Sequence, residues 1–343
     1  MSSGIPEAPA VAPEAVREES PKKSGGRLLG WAEAYALLGL LIVIGIFFSV
    51  LPKTADTFPT SANLQTIAAN QAVIAIVALA ALVPLVCGEW DLSVGANAGL
   101  SSVFVASALG GGTPIWLAVL IGLGVGTGIG IVNALIITQA RVNAVITTLG
   151  MATILEGALN QKTSGLPIAS NIPSSIVTFG SGDTLGIPRP AWAMLAIALV
   201  VYYVLAHTPV GRHLYALGSN AAAARLVGLR TRWLVASTFI AAGALCGLAG
   251  FLQVTRAGGA DPKVGVSFTL PALAAAFLSA ASIKPGRPNV GGALVAIFFL
   301  ATLNGGLNLA GSPSYVSSYV NGVALIIGVA LAAYLGRRRA GVE

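Results

Sequence analysis

Apolar runs of 16 to 25 residues recur along the chain, separated by short clusters of Pro, Gly and polar side chains. A helix needs roughly 20 mostly apolar residues to cross a bilayer core. The pattern therefore predicts ten spans, at 31–51, 63–87, 92–110, 114–138, 143–160, 191–206, 232–253, 267–283, 290–309 and 316–336. The reading is an all-α polytopic membrane protein with one transmembrane domain over 31–336. The longest non-apolar segments are 161–190 and 207–231. Pro84, Gly88 and Gly95 also allow the second and third spans to form a re-entrant pair that turns within the membrane. About eight full spans then remain, and no other segment changes side, because two spans disappear together.

Residues 1–30 break the pattern. They are rich in Pro, Ser, Glu and Ala, and Arg17, Lys22, Lys23 and Arg27 balance Glu7, Glu14, Glu18 and Glu19. Without apolar periodicity this reads as a disordered tail. No short apolar segment with a small-residue cleavage site follows its basic end, so a signal peptide is not expected.

Composition sharpens the membrane reading. Of 343 residues, 55% are hydrophobic and 9% charged, and mean hydropathy is +0.84. So few charges cannot cover the surface of a soluble globule, and an ordinary soluble enzyme is excluded. The net charge of +7 would suggest nucleic acid in a soluble protein. Its distribution points instead to orientation, and no nucleic-acid partner is expected. With the N-terminus inside, 14 of the 19 Lys and Arg residues fall in the tail, the inner segments and the 337–343 end. Only Lys53, Lys162, Arg189, Arg256 and Lys263 fall outside. The excess of inner cations predicts both termini in the cytoplasm.

A weak internal repeat is present. Asp91-Leu92-Ser93-Val94-Gly95 with Leu100 matches Asp261-Pro262-Lys263-Val264-Gly265 with Leu270, both reading D-x-x-V-G-x4-L. Asn133 follows the first Asp by 42 residues and Asn304 follows the second by 43. The two Asp residues begin spans running in opposite directions. Spans 2–5 and 7–10 are therefore expected to be inverted repeats, as in many transporters.

Candidates for catalysis are scarce. His207 and His213 are the only histidines, Cys87 and Cys246 the only cysteines, and no H-E-x-x-H, C-x-x-C or G-x-x-x-x-G-K-[ST] is present. The cysteines read as packing residues. The Gly-rich run Gly122 to Gly130 lies inside a span, where small residues serve close helix packing rather than nucleotide binding. Glu156 is the clearest charge within a span and either lines a polar path or reaches the interface. Asp91 precedes an apolar helix and suits its N-terminus as a cap. Asn133, Thr147, Thr148, Asn160, Asn304, Asn308 and Asn321 supply amides and hydroxyls that bond transiently to a neutral polyol, or to neighbouring helices. The scarcity of intramembrane acids argues against ion coupling.

The 207–231 segment is the most informative loop. Ser219 or Asn220 is placed to cap a short helix over 221–227, with Gly228 as its stop. A short Ala-rich helix between spans either gains order by docking on a partner protein or lies as a connector on the lipid surface.

The run from Gly211 to Leu229, G-R-H-L-Y-A-L-G-S-N-A-A-A-A-R-L-V-G-L, closely resembles the cytoplasmic coupling loop of ribose-type ABC importer permeases. Asp91 to Gly95, Ile131 to Ile137, Ile146 to Gly150, Asn304 to Asn308 and Ser312 to Tyr315 match the same family in order and spacing. The resemblance covers about 35 to 336. Ser279-Ala280-Ala281-Ser282 replaces the family's usual glycine pair, and Glu89 stands where a small or apolar residue is usual.

The resemblance implies a type II importer fold in a bacterial inner membrane. It implies a permease that pairs with a second copy as a homodimer and binds cytoplasmic ATPase subunits. It also implies delivery of a monosaccharide by an extracytoplasmic binding protein. Gly211, Arg212, Gly218, Asn220, Ala223, Arg225 and Gly228 would form the ATPase-coupling loop. Asp91, Asn133, Thr147, Thr148, Glu156, Asn304 and Asn308 are the residues expected to line the path. This chain would bind no cofactor, since ATP and Mg belong to the partner ATPase. Nucleoside or branched-chain amino-acid import is the neighbouring alternative, and a carrier working without an ATPase the more distant one.

Overall fold

The computed structural model describes residues 25–340. Most of the expected tail and residues 341–343 lie outside the described residues. The described residues are mostly helical. The long helices are α1 (Gly25–Val50), α2 (Ser61–Val86), α3 (Val94–Gly110), α4 (Ile115–Thr138), α5 (Ala144–Thr163), α7 (Arg189–His207), α10 (Thr231–Ala257), α11 (Val264–Leu278), α12 (Val290–Leu309) and α13 (Tyr315–Ala340). Between them lie the short helices α6 (Ser174–Ser181), α8 (Pro209–Ser219) and α9 (Ala221–Leu226).

Seven of the described helices (α2, α4, α7, α10, α11, α12 and α13) are long and apolar enough to cross a membrane. Ala34–Val50 within α1 and α3 are shorter apolar helices. α5 carries Thr147, Thr148, Thr153, Glu156, Asn160 and Lys162, which dilute its apolar character.

Several boundaries differ from the sequence expectation. α1 begins at Gly25, so its first turns reach into the segment expected to be tail. α13 runs to Ala340, continuing helically through the expected C-terminal end at 337. The chain is also not purely helical. Asp183–Thr184 (β1) and Ile187–Pro188 (β2) form a small antiparallel hairpin within the 161–190 segment. Its turn uses Leu185 at φ 57° and Gly186 at φ 74°. The apolar pattern missed it because each strand has only two residues.

α2 is the hub. Ala72 to Val86 is almost continuously buried, and the helix packs against α7, α10, α11 and α12. A helix apolar on every side belongs in a core, where no face has to meet water. Glycines set the closest crossings. On α4, Gly122, Gly126 and Gly130 face Gly243 and Gly247 of α10, and a Cβ on Gly126 would sit 2.6 Å from the Gly247 nitrogen. The Gly122–Gly130 run is thus a packing surface, as its placement in a span implies. At the α3–α11 crossing, a Cβ on Gly99 would meet the Gly265 Cα at 3.0 Å.

The Ser279–Ser282 departure has a local explanation. Ser279–Ala281 forms one 3-10 turn. Asn289 donates through Nδ2 to the carbonyls of Ser279 (2.8 Å) and Ser282 (2.9 Å), while its Oδ1 accepts from Gly292 N (2.8 Å). One buried amide therefore joins the end of α11 to the start of α12. Cys87 and Cys246 are free and buried, consistent with packing roles.

Large aromatic side chains stand exposed near helix ends: Trp31 and Tyr35 on α1, Trp116 on α4, Trp192 and Tyr203 on α7, Trp233 on α10, and Tyr315 and Tyr334 on α13. Between them the exposed side chains are largely Leu, Ile and Val. Aromatic ends around an apolar band match the two faces of a bilayer.

Candidate functional site

The 207–231 segment folds as two helices rather than one. The sequence reading foresaw only the second. Thr208 caps α8 by accepting from Gly211 N at 3.4 Å, with Pro209 in the first turn. Leu214 and Leu217 then face the core. α9 has six residues and is satisfied at both ends. Asn220 Oδ1 accepts from Ala222 N (3.0 Å) and Ala223 N (2.9 Å). At the other end Gly228 N donates to Arg225 O and Leu229 N to Ala224 O, with Gly228 at φ 81°. This is a Schellman closure, which needs the left-handed backbone that glycine adopts freely.

α9 presents side chains outward. Arg225 and Ala223 are exposed, Leu226 is 88% exposed and Val227 75%. Leu226 and Val227 thus form an outward aliphatic pair at the tip of the segment. Neither stands out in the sequence, because an isolated Leu-Val pair carries no periodic signal. The two glycines of α8 act inward instead. A Cβ on Gly211 would collide with the Leu205 carbonyl at the end of α7. One on Gly218 would collide with the Val86 carbonyl and lie 3.2 Å from the Cys87 Cα. Arg212 points to a separate cavity beside α7.

Gly218 thus rests on the C-terminus of α2, where the chain turns at Gly88 (φ 89°) toward α3. That turn is held by several of the polar residues singled out in the sequence. Asp91 does not cap α3 as expected, since the N-cap position is Ser93. Its Oδ1 accepts instead from Ser93 N (2.9 Å) and Ser93 Oγ (2.6 Å), closing an Asx-turn one step earlier. Asn133 of α4 donates to Ser93 Oγ at 3.0 Å. Thr148 of α5 accepts from Leu92 N at 3.1 Å and donates to Ala144 O at 2.8 Å. Trp90 meets Phe277 of α11 edge-on at 4.7 Å. Asp261 repeats the Asx-turn before α11, accepting from Lys263 N at 2.8 Å.

Replacing Asp91 by Ala leaves the buried Ser93 amide without its acceptor, at a cost of about 1–3 kcal/mol. We expect a clearly lower melting temperature in detergent for Asp91→Ala. Asp91→Asn, which keeps an acceptor oxygen, should melt near the wild type. Equal losses in both would assign the role to the charge instead of the turn.

The other polar residues are dispersed. Asn133 and Thr148 are fully buried and Thr147 nearly so. Asn133 Oδ1, Thr147 Oγ1 and Asn304 Oδ1 are buried without a hydrogen-bond partner. Asn304 Nδ2 reaches Asn321 Oδ1 of α13 at 3.2 Å. Glu156 and Asn308 are exposed. Glu156 lies on a face of α5 with Thr153, Gly157 and Asn160, and no side chain comes within 4 Å of where a Cβ on Gly150 or Gly157 would be. Among the described residues no cluster of His, Cys, Asp and Glu suits a metal ion.

Residues 63–329 match the family model described as branched-chain amino acid transport system / permease component. The chain belongs to this permease family. Among curated proteins, it is 34% identical to the ribose import permease protein of Escherichia coli (strain K12) over 87% of this chain and 92% of that protein. It is 35% identical to the ribose import permease protein of Bacillus subtilis (strain 168), over 86% and 90%. With the D-allose transport system permease protein of E. coli (strain K12) it shares 29% identity over 92% and 95%. No solved structure matches the chain.

Proposed function

We propose that this permease is the membrane-spanning half of an ATP-driven importer and passes a monosaccharide of the pentose, hexose or polyol class. The observation that carries this is near full-length similarity to ribose and allose permeases, at 29–35% identity. In this reading the ten long helices cross the membrane, both termini are cytoplasmic, and a binding protein delivers solute from outside. The Asx-turns at Asp91 and Asp261 and the glycine crossing of α3 with α11 support inverted repeats of α2–α5 and α10–α13.

The coupling segment gives the mechanism. The α9 tip docks on a cytoplasmic ATPase, which holds ATP and Mg. Movement there passes through α8, whose Gly218 leaves no slack against α2. The turn at 88–93 then moves with α2, carrying α3 and, through Thr148, α5. The exposed α5 face with Glu156, Thr153 and Asn160 meets a second copy across the path. Thr147, Asn304 and Asn308 add neutral polar groups, which bind sugar weakly enough to release it.

Reconstitution tests the reading. Uptake of a pentose or hexose into liposomes should require the ATPase, the binding protein and ATP together. Solute movement by the isolated chain, without any ATPase, would overturn it. The family description also favours a second reading, branched-chain amino-acid import, and uptake of leucine in place of sugar in the same assay would select it.

A further inference from the structure

A cavity of about 560 Å³ opens between the end of α7, α8 and the 283–291 segment leading into α12. Its wall is largely apolar, with Leu195, Leu199, Val290 and Leu294, and Arg212, Lys284 and Arg287 line its exposed polar side. No acidic residue lines it. All three cations are exposed.

The frame around the mouth is ordered. Tyr215 OH donates to Pro288 O at 2.8 Å, tying α8 to the loop. The Arg287 guanidinium sits over the Tyr215 ring, 5.6 Å from its centre. Asn289 locks the loop's far end on Ser279 and Ser282. The apolar wall continues onto the outer surface of α7, where Leu195 is 42% and Leu199 66% exposed. The cavity therefore opens toward the lipid-facing side as well as toward its cationic rim.

Three cations with no carboxylate partner among the described residues, beside an apolar slot at the end of membrane helices, complement an amphiphile with an anionic head. A soluble phosphate would use the rim and leave the slot without a partner. We propose that this cavity is a specific site for an anionic phospholipid, with the headgroup phosphate between Arg212, Lys284 and Arg287 and the upper acyl chain along Leu195, Leu199 and Leu294. A juxtamembrane cation contributes on the order of 1 kcal/mol toward anionic lipid, and the apolar slot adds chain burial. The site rests on the membrane placement of α7 and α12 and does not depend on which solute is carried.

The test uses the full chain purified in detergent, without the ATPase, and native mass spectrometry of bound lipid. Phosphatidylglycerol should bind about tenfold or more tightly than phosphatidylcholine with the same chains, and should raise the melting temperature of the wild type where phosphatidylcholine does not. Lys284→Gln with Arg287→Gln should lose about tenfold of that preference. Lys284→Arg with Arg287→Lys should keep it, as should Lys53→Gln with Lys263→Gln. Equal binding of the two lipids, an unchanged preference in the Gln pair, or displacement of phosphatidylglycerol by millimolar inorganic phosphate would each overturn the proposal. The wild-type melting comparison decides the matter if the Gln pair does not fold.

Discussion

Leu226→Asp is expected to abolish ATP-dependent uptake while leaving the protein folded and abundant. The side chain is 88% exposed and sits beside Val227, exposed at 75%, so the substitution disturbs no internal contact. The helix that carries it is only six residues long. Such a helix is marginal alone, yet it is capped at both ends by Asn220 and Gly228. In the proposed reading a partner surface covers these two outward aliphatic side chains. An interface centre of this kind is worth about 2 kcal/mol or more, or roughly thirtyfold in ATPase affinity. Co-purification of the ATPase measures it, and uptake reports the consequence. Normal co-purification and uptake would remove α9 from the coupling role. The informative substitution is not Gly218→Glu. A side chain at 218 runs into the Val86 carbonyl, so that variant tests packing against α2 and should yield less folded protein.

Gly126→Val is expected to prevent stable folding. The added Cβ would lie 2.6 Å from Gly247 N and 2.8 Å from Gly247 Cα, which are backbone atoms and cannot turn aside. The helices must separate along the α4–α10 seam, where Gly122, Gly126 and Gly130 meet Gly243 and Gly247. Overpacking of this kind costs about 3 kcal/mol and here more, since no rotamer relieves it. The monodisperse peak in detergent gel filtration should be lost. Gly128→Ala, two residues away with nothing within 4 Å of its Cβ position, should elute as the wild type. If Gly126→Val also eluted normally, the seam would be looser than its geometry indicates.

Much of this architecture was legible along the chain. Apolar run length located the long helices to within a few residues, because a bilayer crossing imposes a length on each run. The exceptions follow from what length cannot see. α8 has Leu214 and Leu217 on one side only and is too short for a span, so it merged into a loop. The β1–β2 hairpin is too small for an alternating pattern. α5 sits among the spans in order but is too polar to qualify by composition, since Thr147, Thr148, Thr153, Glu156, Asn160 and Lys162 all fall within it.

The candidate site was legible in a different way. The Asn220 and Gly228 signals resolved the short helix of the 207–231 segment correctly. The roles of individual residues were not available. Asp91 and Thr148 belong to one bonded turn, although they are 57 positions apart. Glu156 and Thr148 share α5 yet face opposite environments, one exposed and one buried.

By itself the sequence determined that this is a membrane protein of many helices, which family it resembles, and where a short capped helix lies between two spans. Each of those follows from local properties: run length, motif order and capping residues. Only the tertiary structure decided which glycines are seams, which polar groups hold the 88–93 turn, and which cations gather around an apolar slot. Those properties belong to pairs of segments far apart in the chain. Arg212 and Arg287 become neighbours only when α8 folds back onto the start of α12.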